Sequence, residues 1–295
     1  MDGVLLIDKP SGLTSHDVVA RVRRSSRERR IGHTGTLDPR ATGLLPLVLG
    51  RATRLASRIT GGLKSYDAVV RLGFATDTDD ADGRPVGPIV EVNPTTSEIQ
   101  AALARFRGTF DQMPPDHSAK KVGGQKAYDL ARRAEPVVLS PVTVSVHALE
   151  LTGVAGPAVS LRVTVTSGFY VRSLARDLGE RLGCGGHLES LRRTRSGAFD
   201  LSAAMTLEEA EHAGPAISSR LISPAAALPQ LPAVTMTDAG RERAVHGNSL
   251  GPDHLAERWL PPAGAGEVRL LALDGCLVAL AEARGGALHP VVVLG

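Results

Sequence analysis

Residues Arg30 to Arg54 read R-I-G-H-T-G-T-L-D-P-R-A-T-G-L-L-P-L-V-L-G-R-A-T-R. In Gly32-His33-Thr34-Gly35-Thr36-Leu37 the glycines permit positive φ and a close backbone approach. Asp38 follows, and Pro39 pushes it towards an extended conformation and fixes the exit direction. An apolar run from Gly43 to Gly50, interrupted by Pro46, comes next, and Arg51 and Arg54 close the stretch. Such a loop can hold one acid in a defined pose beside an apolar floor and basic flanks. Asp-Pro is also a common turn pair, and a glycine-rich loop next to an apolar strand is usually only a loop. Residue chemistry alone leaves both readings open. The stretch contains neither the G-x-x-x-x-G-K-[ST] phosphate loop nor the dinucleotide fingerprint.

Outward from this stretch, the 295 residues allow one large domain or two, and 42% apolar residues can bury a sizeable core. Cys184 and Cys276 lie far apart, with no Cys/His spacing of the metal-binding kind, so neither a disulfide framework nor a zinc site is expected. Two free thiols fit a reducing, cytoplasmic setting. The N-terminus has no basic leader, no signal peptide is expected, and runs such as Leu44 to Leu49 are too short to span a bilayer. The net charge is only +3, but it is clustered. Arg21 to Arg30 holds six arginines against Glu28 alone, a second group comprises Lys120, Lys121, Lys126, Arg132 and Arg133, and a third comprises Arg192, Arg193 and Arg195. Clusters of this kind suit a polyanion such as nucleic acid, although solvated arginine-rich faces look the same in sequence. Aromatics are few, which singles out Tyr66, Tyr128 and Tyr170.

Along the chain, Gly3 to Asp8 reads as a strand, and Thr14-Ser-His-Asp17 has capping-box spacing before a helix through Val18, Val19 and Val22. Ala52, Leu55, Ala56 and Ile59 have helical spacing. Ala68 to Leu72 reads as a strand, and the polar turn Thr76 to Gly83 fails as a calcium loop because Ile89 stands where a bidentate Glu is needed. Thr95 and Glu98 cap another helix, and Lys126 to Arg133 looks helical. Val142 to Val154 and Val159 to Val165 alternate as strands. Ser173 to Leu182 reads as a helix, and Gly185 to Arg195 as a turn with a basic segment. Leu201 to Leu221 holds two short helices, Pro224 to Pro232 looks like a linker, and Val268 to Leu273, Leu277 to Ala281 and Val291 to Leu294 suggest a small β-rich module.

The motif G-H-T-G-T-L-D-P-x-A-T-G-L-L-P resembles the signature of the TruB family of tRNA pseudouridine synthases. Other segments agree in order: Asp8-Lys-Pro-x-Gly-x-Thr-Ser15, Lys64-x-Tyr66, Thr76-Asp-Thr-x-Asp80, Pro114-Pro-x-x-Ser-Ala-x-Lys121 with Gly124 and Tyr128, Gly168-x-Tyr-Val-Arg172 with Asp177-Leu-Gly179, and Leu191-Arg-Arg193. The resemblance covers residues 3 to 200. One departure is the lysine that the family often carries before Gly168, which is absent here.

The resemblance implies an α+β fold with a mixed, mainly antiparallel sheet and flanking helices. It places a catalytic domain at 1–228, with an inserted RNA-gripping loop at about 113–140, and a PUA-like RNA-binding domain at 229–295. The implied activity is isomerisation of uridine to pseudouridine at position 55 in the T-loop of tRNA, after the base is flipped out. Asp38 would start the reaction, Arg172 would pair with a carboxylate and hold its direction, and Tyr66 would stack on the uracil and take the C5 proton. Tyr170 would line the pocket, and His33 and Leu191 would contact the RNA, with Lys9, Lys64 and Lys121 as further substrate contacts. An unperturbed aspartate is ionised at neutral pH, so an acid in this role depends on placement more than on deprotonation. No metal and no cofactor is expected, nor an obligate protein partner, and a monomer is the default. Two rivals stand beside this reading: an RNA-guided relative working inside a ribonucleoprotein, and a tRNA-folding module without chemistry.

Overall fold

Thr14 opens the first helix, Ser15–Ser26, with the expected reciprocal cap: its side chain accepts from Asp17 N–H while the Asp17 carboxylate accepts from Thr14 N–H at 2.8 Å. Val18, Val19 and Val22 are buried, and Arg27 ends the helix in the left-handed region at φ 60. The coordinates are a computed structural model that describes residues 1–116, 121–122, 125–126, 139–259 and 266–295. The strands in chain order are β1 (Gly3–Lys9), β2 (Ile31–His33), β3 (Thr42–Leu49), β4 (Lys64–Leu72), β5 (Ala75–Thr76), β6 (Pro85–Val86), β7 (Gly108–Gln112), β8 (Lys121–Val122), β9 (Gln125–Lys126), β10 (Val142–Ala155), β11 (Ala158–Val165), β12 (Gly186–Ser196), β13 (Phe199–Asp200), β14 (Met205–Thr206), β15 (Ala233–Thr235), β16 (Glu267–Leu271), β17 (Leu277–Arg284) and β18 (Ala287–Val293).

The chain divides into two compact units. The first comprises Met1–Asp38, Leu45–Thr60 and Ala198–Gly295. In it β1 runs parallel to β14, and β2 pairs antiparallel with the far end of β3, Ile31 opposite Leu49 and His33 opposite Leu47. The first helix packs on the helix Leu207–Ala213 and on the 3-10 turn Gly214–Arg220. The segment expected as one helix from Ala52 to Ile59 is a 3-10 turn, Gly50–Leu55, followed by an α-helix, Ala56–Thr60. The β-rich C-terminal expectation is met by a sheet of order β15-β16-β17-β18. Its own core includes Val234, Met236, Leu250, Val268, Leu270 and Leu288. A helix, Asp238–Val245, accompanies this sheet and had no clear sequence signal, because its residues DAGRERAV form no apolar stripe. The Pro/Ala/Leu-rich linker is tied to this sheet, since Arg269 donates to the carbonyls of Leu231 at 2.9 Å and Ala225 at 2.6 Å.

The second unit comprises Pro39–Leu44 and Gly61–Gly197. Its strand order is β3-β12-β4-β11-β10-β7, parallel between β3 and β12 and antiparallel elsewhere. In β4 every second residue is buried, Lys64, Tyr66, Ala68, Val70 and Leu72, so two polar side chains share the inner face with three apolar ones. The helix Val171–Arg181 packs against β12.

Residues 185–195, read from sequence as a turn and a basic segment, are instead mostly the strand β12. Its two irregularities, between Leu188 and Ser190 and between Arg193 and Arg195, break the two-residue period that would have revealed it. The helix expected from Lys126 lies mostly outside the described residues, and so does most of the inserted loop. Of the loop, the backbones of Lys121–Val122 and Gln125–Lys126 form a short hairpin, and Tyr128 lies outside. Among the described residues no helix is long and apolar enough to cross a membrane.

Candidate active site

In the first unit, the loop that ends at Asp38 is fixed by polar groups from its neighbours. Thr34, fully buried, donates its N–H to the Pro46 carbonyl at 3.0 Å, continuing the β2–β3 ladder by one step. Three residues on, the buried Ser15 hydroxyl accepts from Leu37 N–H at 2.9 Å and donates to the Leu37 carbonyl at 3.1 Å. Ser15 sits at the start of the first helix, so the rigid helix sets the direction of the peptide that leads into Asp38. Gly35 takes φ +91, the left-handed conformation that lets the loop turn between these two anchors. Asp38 and His33 are both half-buried, and the His33 ring meets His16 edge-on with centroids 5.2 Å apart. Lys9 is fully buried, and its ammonium donates to the carbonyls of Pro10 at 2.9 Å and Leu13 at 2.6 Å, so it holds the turn that leads into Thr14.

In the second unit, β4 and β12 bring Tyr66, Arg193, Ala68 and Leu191 to one face. Tyr66 stands opposite Arg193, and Ala68 opposite Leu191. Lys64 lies on the same face two residues before Tyr66, buried, with its ammonium 3.3 Å from the Ser167 hydroxyl. Burial, and then the neighbouring Arg193 charge, lower the Lys64 pKa to about 8.

Arg172 is buried at the start of the helix Val171–Arg181, a position where a cation opposes the helix dipole. The polar turn after β5 compensates: Asp80 lies 3.6 Å from the Arg172 guanidinium, and the Thr78 carbonyl accepts from it at 3.2 Å. One turn further along, Arg176 pairs with Asp79 at 3.0 Å and with Asp177 at 2.9 Å. Burial opposes the Arg176 charge, but Asp79 and Asp177 carry its pKa above the ordinary guanidinium value. The turn that fails as a calcium loop therefore serves as an anionic clamp on this helix. Tyr170, half-buried, precedes the helix. Its N–H donates to the Gln112 amide oxygen at 2.8 Å, and its carbonyl accepts from the same amide at 3.0 Å.

Tyr66, Leu191, Lys64, Tyr170 and Arg172 thus all fall in the second unit, and Asp38, His33 and Lys9 in the first. The side chain of Lys121 is outside the described residues. Sequence reading passed over Ser15, Gln112 and Arg193 as individual residues. Ser15 and Arg193 lay inside recognisable motifs, whereas nothing around Gln112 marked it. Among the described residues no cluster of three or more His, Cys, Asp or Glu is placed to hold a metal ion.

Residues 23–171 match the model of the TruB family pseudouridylate synthase N-terminal domain, and residues 172–220 that of the tRNA pseudouridylate synthase B C-terminal domain. The chain is 42% identical over 297 residues to the tRNA pseudouridine synthase B of Solibacter usitatus, with all of both chains covered. To the enzyme of the same name from Thermobifida fusca it is 45% identical over 308 residues, covering 99% of this chain and 98% of the other. Among solved structures, a Cbf5-Nop10-Gar1 complex matches with a TM-score of 0.76 at 28% identity, over 99% of this chain and 85% of the other. An H/ACA RNP bound to a substrate RNA containing 2'-deoxyuridine matches with a TM-score of 0.75 at 26% identity, with the same coverage.

Proposed function

The chain belongs to the TruB family of pseudouridine synthases and is an isomerase, and from that premise we propose that it converts uridine 55 in the T-loop of tRNA to pseudouridine, with Asp38 as the group that starts the reaction. The C1′–N1 bond breaks, the uracil turns within the site, a C1′–C5 bond forms, C5 loses its proton and N1 gains one. Atoms balance without any co-reactant. Asp38 attacks or initiates elimination, Tyr66 stacks on the base and serves the C5 proton, and Arg172 directs the carboxylate. Stacking of this kind contributes about 1–3 kcal/mol per base. Tyr170 lines the pocket, and His33 and Leu191 contact the flipped-out loop. Lys64 and Lys121 meet the RNA, and Lys9 acts through the turn it holds.

The observation that carries this reading is the double hydrogen bond from Ser15 to Leu37, the residue before Asp38. A displayed acid that only needed solubility would not require its backbone to be fixed by a buried hydroxyl of another element. A preorganised carboxylate gains rate because its geometry is set before the substrate arrives. The division into a catalytic domain at 1–228 and a PUA-like RNA-binding domain at 229–295 is part of the same proposal, as are action as a monomer and a cytoplasmic location.

Asp38→Ala is expected to bind a T-arm stem-loop and to release no tritium from C5-labelled uridine. Release by that variant would sink the assignment of Asp38. The structural likeness to the Cbf5-containing complexes favours one other reading, an RNA-guided synthase. The wild-type protein alone, on the bare stem-loop, separates the two: tritium release without added protein or RNA supports the stand-alone enzyme.

A further inference from the structure

Among the described residues Arg193 is the largest side chain that is wholly buried. Burying a guanidinium is costly unless it is hydrogen-bonded, so its partners say what it is kept for. One is a backbone group: its Nε donates to the Leu44 carbonyl at 2.7 Å. The other is the Tyr66 side chain, with which it forms a hydrogen bond. Burial pushes the Arg193 pKa down, and Tyr66 works in the opposite direction, favouring the charged guanidinium.

The backbone is built around this contact. Arg193 and Tyr66 stand directly opposite on β12 and β4, so their side chains leave the sheet on one face. On its other side Arg193 stands opposite Gly43 of β3. Gly43 takes φ +95, and a Cβ there would lie 2.3 Å from the Arg193 carbonyl oxygen. The strand can approach Arg193 this closely only because position 43 has no side chain, and the approach is what puts the Leu44 carbonyl within reach of Nε. An arginine held at Leu44 presents its planar fork to Tyr66 in a fixed direction.

We propose that Arg193 is a positioning residue for Tyr66: anchored on the Leu44 carbonyl, its guanidinium donates to the phenol oxygen and holds the ring in the one orientation that serves C5 of the target base. This role rests on Tyr66 acting at the base, as proposed above. Arg193 does not touch the RNA.

The test is the turnover of Arg193→Gln on T-arm RNA carrying uridine or 5-deuterouridine, beside Arg193→Lys and Tyr66→Phe, with RNA affinity and thermal unfolding measured on each. Arg193→Gln is expected to lose about tenfold or more in kcat, the scale of one charge-assisted hydrogen bond. Its RNA affinity should stay near wild type, and its isotope effect should rise because C5 deprotonation has become slower relative to the other steps. Arg193→Lys, which keeps a donor, should recover part of the rate and part of the isotope effect. A loss of rate with an unchanged isotope effect, or no loss at all, overturns the proposal. If the Gln variant does not fold, the Lys variant decides by the same two quantities. Tyr66→Phe reports on the premise separately: wild-type turnover in that variant removes the role of Tyr66, whatever Arg193 does.

Discussion

The Ser15 hydroxyl is bonded to both polar groups of Leu37, so removing one atom leaves a buried N–H and a buried carbonyl in want of partners. Ser15→Ala is therefore expected to cost about 1–3 kcal/mol of stability, the penalty for unsatisfied buried groups, read by urea denaturation. It should also lower kcat more than it weakens RNA binding, because Asp38 loses its fixed approach. An unchanged kcat would show that Asp38 does not depend on this anchor. Lys64 gives a second test at this scale, through pH. Its pKa is lowered to about 8 by burial and then by the Arg193 charge, whereas an unfolded lysine titrates at about 10.4. Between those values the unfolded chain binds the proton more strongly, so the Lys64 contribution to stability rises with pH through that window. Below it, the folded protein carries the cost of a buried ammonium. Lys64→Met is expected to flatten the rise and to be more stable than wild type at neutral pH, as measured by thermal unfolding across the range. The Asp-Pro pair and the glycines of the central loop fitted a displayed acid and a plain turn equally, and the Ser15 anchor left no signal in the sequence. A serine after a capping threonine reads as ordinary helix start, and the contact spans 22 positions.

At the scale of elements, those with a single clean period were legible: the helix Ser15–Ser26 from its capping box and valines, and β10 and β11 from their alternation. The strand that organises the second unit was not. β12 contains Arg192, Arg193 and Arg195, and its period is broken twice. An inward arginine at the centre of a strand defeats a hydrophobic pattern, because the pattern assumes that buried means apolar. The same fact redefines the third basic cluster: Arg193 is buried, Arg192 is half-buried, and Arg195 faces solvent, so the three do not form one face for a polyanion. Gly43 is the position where the packing of β3 on β12 is most exacting. Gly43→Ala would force a left-handed backbone onto an L-residue and drive its Cβ to 2.3 Å from the Arg193 oxygen. Loss of several kcal/mol is expected, about the upper range for strain and overpacking together, seen as a large fall in the urea midpoint. A midpoint near wild type would mean that the two strands can separate there at little cost.

For the molecule as a whole, the sequence order hides the organisation, since each compact unit is assembled from non-contiguous segments, and the first unit resumes at Ala198 after leaving off at Thr60. Residue chemistry read along the chain finds an acid and three tyrosines as isolated candidates. The ordered motifs of the family linked them, while propensity and periodicity carried no such information. Charge is the property best read at this scale, because the net value of +3 conceals its distribution. Within Arg21 to Arg30 the structure sorts the arginines by task. Arg23 donates to the carbonyls of Arg29 at 3.2 Å and Ile31 at 3.0 Å, which closes the segment after the first helix. Arg21 lies 3.8 Å from Glu211. All six are exposed, and Arg24 and Arg30 are among those whose side chains are not engaged as Arg21 and Arg23 are, which makes them the better candidates for phosphate contacts. Each phosphate contact released on raising salt adds about one unit to the slope of log affinity against log salt. Arg24→Glu combined with Arg30→Glu is expected to weaken binding of full-length tRNA at low salt and to lower that slope by about two. At saturating RNA, kcat should be unchanged, because neither side chain is proposed to touch the reacting base. Arg23→Gln behaves differently on this account: it should reduce thermal stability with little change in slope. Equal slopes for wild type and the double variant would place the tRNA phosphates elsewhere on the protein, and a fall in kcat would mean that this segment positions the base as well as the backbone.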